Sequence, residues 1–324
     1  MAIKDIMNDE ALAQRIRERA LECGYDDCGI IPIADLNGYG ERLQERLKKT
    51  TLSFLIYSKM KAFTRLEKEF PWAKSVIICT FWLGRYRFPK ELNGRYAKHF
   101  FLSPEGVPDC QAHRDRLRFE EWLTEQGVRW LGGDKYAPVR TLPLRHAAVA
   151  AGLGVFRKNN FFYGLKGSYY ELEGYLIDKE CVYKQECSLK PCADSCTLCQ
   201  QACKTKALSA PYTMNPMSCV SMWTTFGRGY VPFVFKKQQF GQWICGCDDC
   251  QDACPYNKKH DWSQGKEFPG LAEIVDLLKP ENILRASDAE LREKVAPRTI
   301  AHVLPHQVST LRRAAKRALQ NTKP

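Results

Sequence analysis

The first half of the chain switches between two hydrophobic periods. Apolar runs rich in β-branched and aromatic residues, CGIIPI (28–33), SVIICTFWL (75–83), VRWLG (128–132) and SYYELEGYLID (168–178), predict strands. HRDRLRFEEWLTEQG repeats its apolar positions every three or four residues and predicts an amphipathic helix. A further helix is expected near the N-terminus, following Asn8 and Asp9. Strands alternating with helices predict a mixed α/β layer domain of the α+β class. Beyond residue 265 the pattern is helical again: Ser287 and Glu290 have capping-box spacing in SDAELREKVA, and HQVSTLRRAAKRALQ ends the chain as a strongly basic helix.

Composition narrows the class. With 44% hydrophobic residues over 324 positions the chain has material for a packed core, so disorder is not expected. No run reaches the roughly 18 apolar residues of a membrane span, and the N-terminus lacks the apolar heart of a signal peptide; the expected location is cytoplasmic, with no membrane span. Lys and Arg exceed Asp and Glu by twelve. That excess suits a polyanionic partner such as RNA or a phosphate-bearing cofactor, and equally a plain solvated surface.

The cysteines redraw the organisation. Four of the fifteen (Cys23, Cys28, Cys79, Cys110) precede residue 181, eleven fall between 181 and 254, and none follows. The expected domains are therefore 1–180, 181–265 and 266–324. In a reducing compartment this density argues for metal rather than disulfides. Cys196, Cys199 and Cys203 form C-x2-C-x3-C with Cys192 four positions upstream; Cys247, Cys250 and Cys254 repeat the spacing, followed by Pro255. Each half resembles the bacterial ferredoxin run, in which three close thiolates hold one 4Fe-4S cube and the last cysteine ligates the other. On that pattern Cys192, Cys196, Cys199 and Cys254 hold one cluster, and Cys203, Cys219, Cys247 and Cys250 the other. Cys187 competes with Cys192, and Cys245 with Cys247 or Cys219. Zinc is the rival metal, and the remaining cysteines read as small buried hydrophobes.

An α/β domain, a double-cluster ferredoxin module and a short basic helical tail in that order resemble the epoxyqueuosine reductases and, more widely, the cobalamin-dependent reductive dehalogenases. The resemblance is carried by LPLRHAAVAAGLG (142–154), GSYYELEGYLID (167–178), GQWICGCDDCQDACPYN (241–257) and LRRAAKRAL (311–319). It implies a nitroreductase-like cobalamin-binding domain, base-off cobalamin beside the cluster that contains Cys192, and a second cluster that receives electrons from a ferredoxin- or flavodoxin-type donor. It also implies a cofactor face near His113, Gly152, Gly154, Lys158 and Asn159. The family's aspartate proton donor would correspond to Asp134 in GGDKYAPVRTLPLRH, whereas the dehalogenase tyrosine with its basic neighbour would correspond to Tyr136 and Arg140. This segment is longer than the family's, and the tail is shorter than the tRNA-gripping repeats of epoxyqueuosine reductases. The expectation is accordingly an iron-sulfur oxidoreductase for reductive cleavage of an unidentified substrate. The alternatives are a true epoxyqueuosine reductase acting on tRNA, and an electron-transfer or corrinoid-reactivating protein with no organic substrate. Arg312, Arg313, Lys316 and Arg317 in the last helix suit either phosphate contacts or an ordinary solvated face.

Overall fold

In the computed structural model, which describes residues 9–50, 53–132 and 142–321, all four expected strands are present. They are β1 (Asp27–Pro32), β2 (Ser75–Trp82), β3 (Trp130–Gly132) and β6 (Tyr170–Ile177), paired antiparallel in the order β1-β2-β6-β3. Between β3 and β6, β4 (Val155–Phe156) and β5 (Phe162–Tyr163) form a separate hairpin.

Register explains why the strands read as continuous apolar runs. Cys28, Ile30, Ile77, Cys79, Phe81, Tyr175 and Ile177 share one face, packed in one core with residues of α1 (Asp9–Glu22) and the other helices on that side. Ile31, Val76, Ile78 and Leu176 share the opposite face, and pack with Ala147, Ala148 and Ala151. A sheet covered on both sides needs apolar residues at successive positions.

The helices that position the candidate chemistry are α2 (Tyr39–Lys49), α3 (Gln111–Glu125), α4 (Leu144–Ala150), the short α5 (Leu198–Ala202), α6 (Val220–Thr224) and α7 (Asp249–Asp252) of the cysteine-rich segment, and α8 (Pro280–Arg285). The last, α9 (Ser309–Gln320), lies against α8. Phe268, Leu271, Leu278, Leu311 and Ala314 belong to the same core as α1 and the first sheet face, so the C-terminal helices pack onto the sheet domain. The capping box forms by half: Ser287 Oγ accepts the Glu290 N–H at 3.1 Å, while the Glu290 carboxylate pairs with Lys294 at 3.1 Å.

The final helix differs from both sequence readings of its basic residues. Arg317 is buried and donates to the Trp243 carbonyl. Arg312 donates to the carbonyls of Ile283 (3.0 Å) and Ala286 (2.9 Å), and Arg313 to that of Arg228 (2.7 Å). Lys316 is exposed. Most of this charge therefore locks the tail to its neighbours instead of facing solvent.

A polar network interrupts the first face. Arg116 of α3 pairs with Glu171 at 3.1 Å and Glu173 at 2.7 Å, all three buried, and Tyr25 donates to Glu173. One guanidinium serves two carboxylates. Burial pushes Glu173 up to about 7 despite the opposing effects of Arg116 and Tyr25, with Glu171 adding to the rise. A carboxyl whose pKa is raised on folding binds its proton more tightly in the native state, so its contribution is complete below the unfolded value and is lost as pH rises towards 7. Glu173→Gln is expected to flatten that loss. Between pH 5 and pH 8 the variant should gain up to about 3 kcal/mol relative to the parent chain, read as the difference in thermal midpoints; equal pH slopes would contradict the assignment.

Candidate metal centres

The two cysteine runs meet because α5 and α7 pack against each other. Their thiols sort into groups that cut across sequence order. Burial raises the Cys199 thiol, and the neighbouring thiols that add to the rise are Cys192, Cys196 and Cys254. Burial likewise raises Cys250, with Cys219 and Cys203 its larger thiol influences and Cys199 a smaller one; Cys247 is raised by burial, then by Asp249, Cys219 and Cys250. Cys219 is raised by burial and then by Cys203. The last cysteine of each run thus joins the thiols of the other run.

Such groups suit metal. Several buried thiols that repel one another as anions stay protonated until a cation takes the charge, and a metal deprotonates its coordinating thiols outright. Among the described residues no three His, Cys, Asp or Glu side chains converge to hold a single ion. Cys245 stands apart: it is buried in the core opposite Tyr96, and burial alone raises its thiol. Cys187 is half-buried and is not among the thiols that perturb Cys199. Cys23, Cys28, Cys79, Cys110 and Cys181 are buried apolar side chains.

The β4–β5 hairpin clamps both runs to the sheet domain. Arg157, 2% exposed, donates to Cys192 Sγ at 3.7 Å and to the Lys190 carbonyl at 3.1 Å, with Tyr256 under its guanidinium at 3.4 Å. Lys158 Nζ donates to the carbonyls of Ala193 (2.8 Å), Asp194 (2.7 Å) and Cys196 (3.0 Å). Asn159 Nδ2 reaches Tyr163 Oη at 2.8 Å and the Cys250 carbonyl at 3.3 Å. Lys158 and Asn159 therefore face the cysteine loops, not an open cofactor face.

The expected cofactor residues do not form one surface. Gly152, at φ +77°, ends α4 so closely against the 185 segment that a Cβ would lie 1.7 Å from Gln185 O. At Gly154 a Cβ would lie 2.2 Å from Tyr163 O. Both glycines make room for the protein's own backbone. His113 is on α3, whose Arg116 and Phe119 engage the first sheet face, whereas α4 covers the second. Asp134, Tyr136 and Arg140 lie outside the described residues. Sequence reasoning passed over Arg157 and over Arg42, Arg46 and Arg145. Their signal was weak: FRKNN reads as a polar turn, and basic residues at i and i+4 on a helix read as a solvated face.

Residues 192–257, which contain all eight grouped cysteines, match the family model of a 4Fe-4S double cluster binding domain. The chain is 30% identical over 326 residues to an epoxyqueuosine reductase of Prochlorococcus marinus, spanning 92% of this chain and 95% of the relative. It is 27% identical over 252 residues to that of Cellulophaga algicola, spanning 75% and 78%. A crystal structure of epoxyqueuosine reductase with an epoxyqueuosine-modified tRNA-Tyr stem loop superposes with a TM-score of 0.75 at 22% identity, covering 97% of this chain and 82% of that one.

Proposed function

The chain belongs to the epoxyqueuosine reductase family, and we propose that it is an iron-sulfur oxidoreductase that reduces an epoxyqueuosine-type nucleoside in tRNA. The sequence alone favoured a divergent member with an unidentified substrate. Identity maintained over nine-tenths of the chain, and a fold shared with a protein solved on a modified tRNA stem loop, favour the tRNA reading instead. The observation that carries the redox part is the crossing of Cys254 and Cys203 between thiol groups, the ligand exchange of a double-cubane ferredoxin.

In this reading Cys192, Cys196, Cys199 and Cys254 hold the first 4Fe-4S cluster, and Cys203, Cys219, Cys247 and Cys250 the second. Cobalamin, when bound, supplies a low-valent cobalt able to pass electrons into an organic bond. The chain offers it polar donors: Arg42 and Arg46 keep buried Nε–H groups with no partner, and Arg42 neighbours Tyr212, which neighbours Cys192. Reductive cleavage must match electrons with protons, and Asp134, Tyr136 and Arg140 are the residues we assign to proton supply. Arg157 sets the first cluster's electronics, since a hydrogen bond and a positive charge at a ligand sulfur stabilise the reduced, more negative state. Arg157→Gln should lower that cluster's midpoint potential by tens of millivolts, where about 59 mV is a tenfold change in a one-electron equilibrium. An EPR-monitored titration reads this, and an unmoved potential would remove Arg157 from the role.

Electrons need a docking face near the second cluster. Phe226, Tyr230, Phe233 and Val234 are exposed on the segment that follows α6, among exposed Arg228, Lys236 and Lys237. An apolar patch ringed by cations fits an acidic low-potential donor of the ferredoxin or flavodoxin type. Phe233→Ser should slow reduction by such a donor severalfold and leave reduction by dithionite unchanged; equal rates with the protein donor would move the face elsewhere.

The experiment that tests the whole reading is anaerobic reconstitution, metal analysis and turnover of an epoxyqueuosine-containing stem loop. About eight irons per chain, bound cobalamin and loss of the epoxide support it. Eight irons and cobalamin without turnover would overturn the substrate, and eight irons without corrin binding would leave electron transfer alone.

A further inference from the structure

Three arginines meet where α2, α4 and the β4–β5 hairpin come together; exposed Glu45 adds some attraction at Arg42, but among the described residues no carboxylate forms an ion pair with any of them. Arg42 and Arg46 lie one turn apart on α2, and Arg145 is in the first turn of α4. Arg46 is 4% exposed and donates from Nη2 to Asn160 Oδ1 at 2.9 Å; Arg145 Nη1 donates to Asn160 O at 2.5 Å. Arg42 sits 3.6 Å over the centre of the Phe156 ring. Among the described residues no ion pair links any of the three to an Asp or Glu, and the Nε–H groups of Arg42 and Arg46 are buried without an acceptor. Contrast Arg116, also buried, which has two carboxylates.

This arrangement is costly as it stands. Buried charges are ordinarily paired, and like charges held together repel. Burial, and after it the charge of Arg46, pulls the guanidinium groups of Arg42 and Arg145 down to about 10, so these two remain cationic at neutral pH although their surroundings disfavour the charge. Asn160 holds two of them in place from a left-handed backbone conformation, φ +67°, turning its carbonyl and its side-chain oxygen to different arginines. A neutral acceptor positions the forks but removes no charge.

We propose that Arg42, Arg46 and Arg145 form an oxyanion site that takes a phosphate group of a ligand bound beside the Cys192 thiol group. A carboxylate presents two oxygens in one plane and is satisfied by one guanidinium fork, whereas the oxygens of a phosphate diverge tetrahedrally and engage several forks at once. Tyr212 feels the charges of both Cys192 and Arg42 and donates its backbone N–H to the Lys158 carbonyl, so the arginines lie in the neighbourhood of the first thiol group. The phosphate chemistry stands on the arginines alone; the ligand's identity rests on the reading given under Proposed function. That reading supplies two sources, the phosphodiester in the nucleotide tail of cobalamin and a backbone phosphate of the tRNA.

The test begins with the anaerobically purified, cluster-loaded full chain and inorganic phosphate, at constant ionic strength against chloride, read as thermal stabilisation. A saturable rise is expected with phosphate. Arg42→Gln and Arg46→Gln should each raise the half-saturating concentration about ten- to a hundredfold, the effect of losing one charge-assisted donor, and Arg46→Lys should fall between. Arg42 is only partly buried, so its variant reports even if Arg46→Gln fails to fold. No saturable rise over chloride, or an unchanged half-saturation in Arg42→Gln, overturns the site. The source is read from three further titrations of the same variant: weakened cobalamin with unchanged cobinamide, which lacks the phosphate, assigns the nucleotide tail, and weakened stem-loop binding with unchanged cobalamin assigns the tRNA. A chain that binds phosphate through these arginines but neither cobalamin nor stem loop keeps the site and sinks the cofactor and substrate reading given under Proposed function.

Discussion

Replacing Cys254 with alanine is expected to destroy the first cluster, although Cys254 ends the second cysteine run. Iron should fall from about eight towards about four per chain, with the surviving EPR signal that of the cluster served by Cys203, Cys219, Cys247 and Cys250. The reason is spatial. α7 ends at Asp252, and the chain then carries Cys254 towards Cys199, where its thiol adds to the charge that Cys192 and Cys196 already impose. Cys203→Ala should produce the mirror result and remove the second cluster. Cys245→Ala should spare both, because that thiol meets no other and lies in apolar core. Turnover requires the complete path, so either ligand variant should lose activity by more than a hundredfold while Cys245→Ala retains it. If Cys254→Ala left the first cluster intact and removed the second, the crossing of ligands would be refuted, and each run would serve its own cluster.

The double-cluster module was legible in the sequence because ferredoxin spacing is dictated by cluster geometry over a few residues of chain; which cysteine serves which cluster is what Cys254→Ala tests. The strands were legible for a similar local reason: a sheet covered on both faces leaves uninterrupted apolar runs such as SVIICTFWL, bounded by polar turns. The cofactor face was not legible. Gly152 and Gly154 have the flexibility that a close approach requires, but what approaches is Gln185 in one case and Tyr163 in the other, and only one of these is near in sequence. The acceptors that Lys158 and Asn159 find in the protein were not legible, since they lie 35 and 91 residues further along the chain. Arg46 shows the limit most clearly. On α2 it belongs to a polar pattern, GERLQERLKK, that any surface helix has, and its burial comes from elements more than a hundred residues away.

Lys158→Met should loosen the loop that carries the first three thiols. The ammonium group uses its three donors on three carbonyls, those of Ala193, Asp194 and Cys196, and so fixes the turn between Cys192 and Cys196 from inside. Methionine preserves most of the side chain's length and its apolar stem while removing every donor. The residues of this loop are themselves largely exposed, so water can recover part of what is lost, and the expected cost is roughly 2–4 kcal/mol for three hydrogen bonds to a charged donor. Local opening of the 193–197 backbone should become at least tenfold more frequent, visible as faster amide exchange there, and the first cluster should decay in air at least tenfold faster than in the parent chain. Lys158→Arg should recover only part of the protection, since a planar fork cannot aim at three carbonyls around one nitrogen. Asn159 provides the internal control. Its amide joins Tyr163 to the Cys250 carbonyl, so Asn159→Ala should disturb the other run and leave exchange at 193–197 unchanged. Parent-like exchange and cluster lifetime in Lys158→Met would show that the loop is held by its metal and its backbone alone. Selective loosening would show that the sheet domain, acting through one hairpin, holds each cysteine run separately in register with the chemistry it serves.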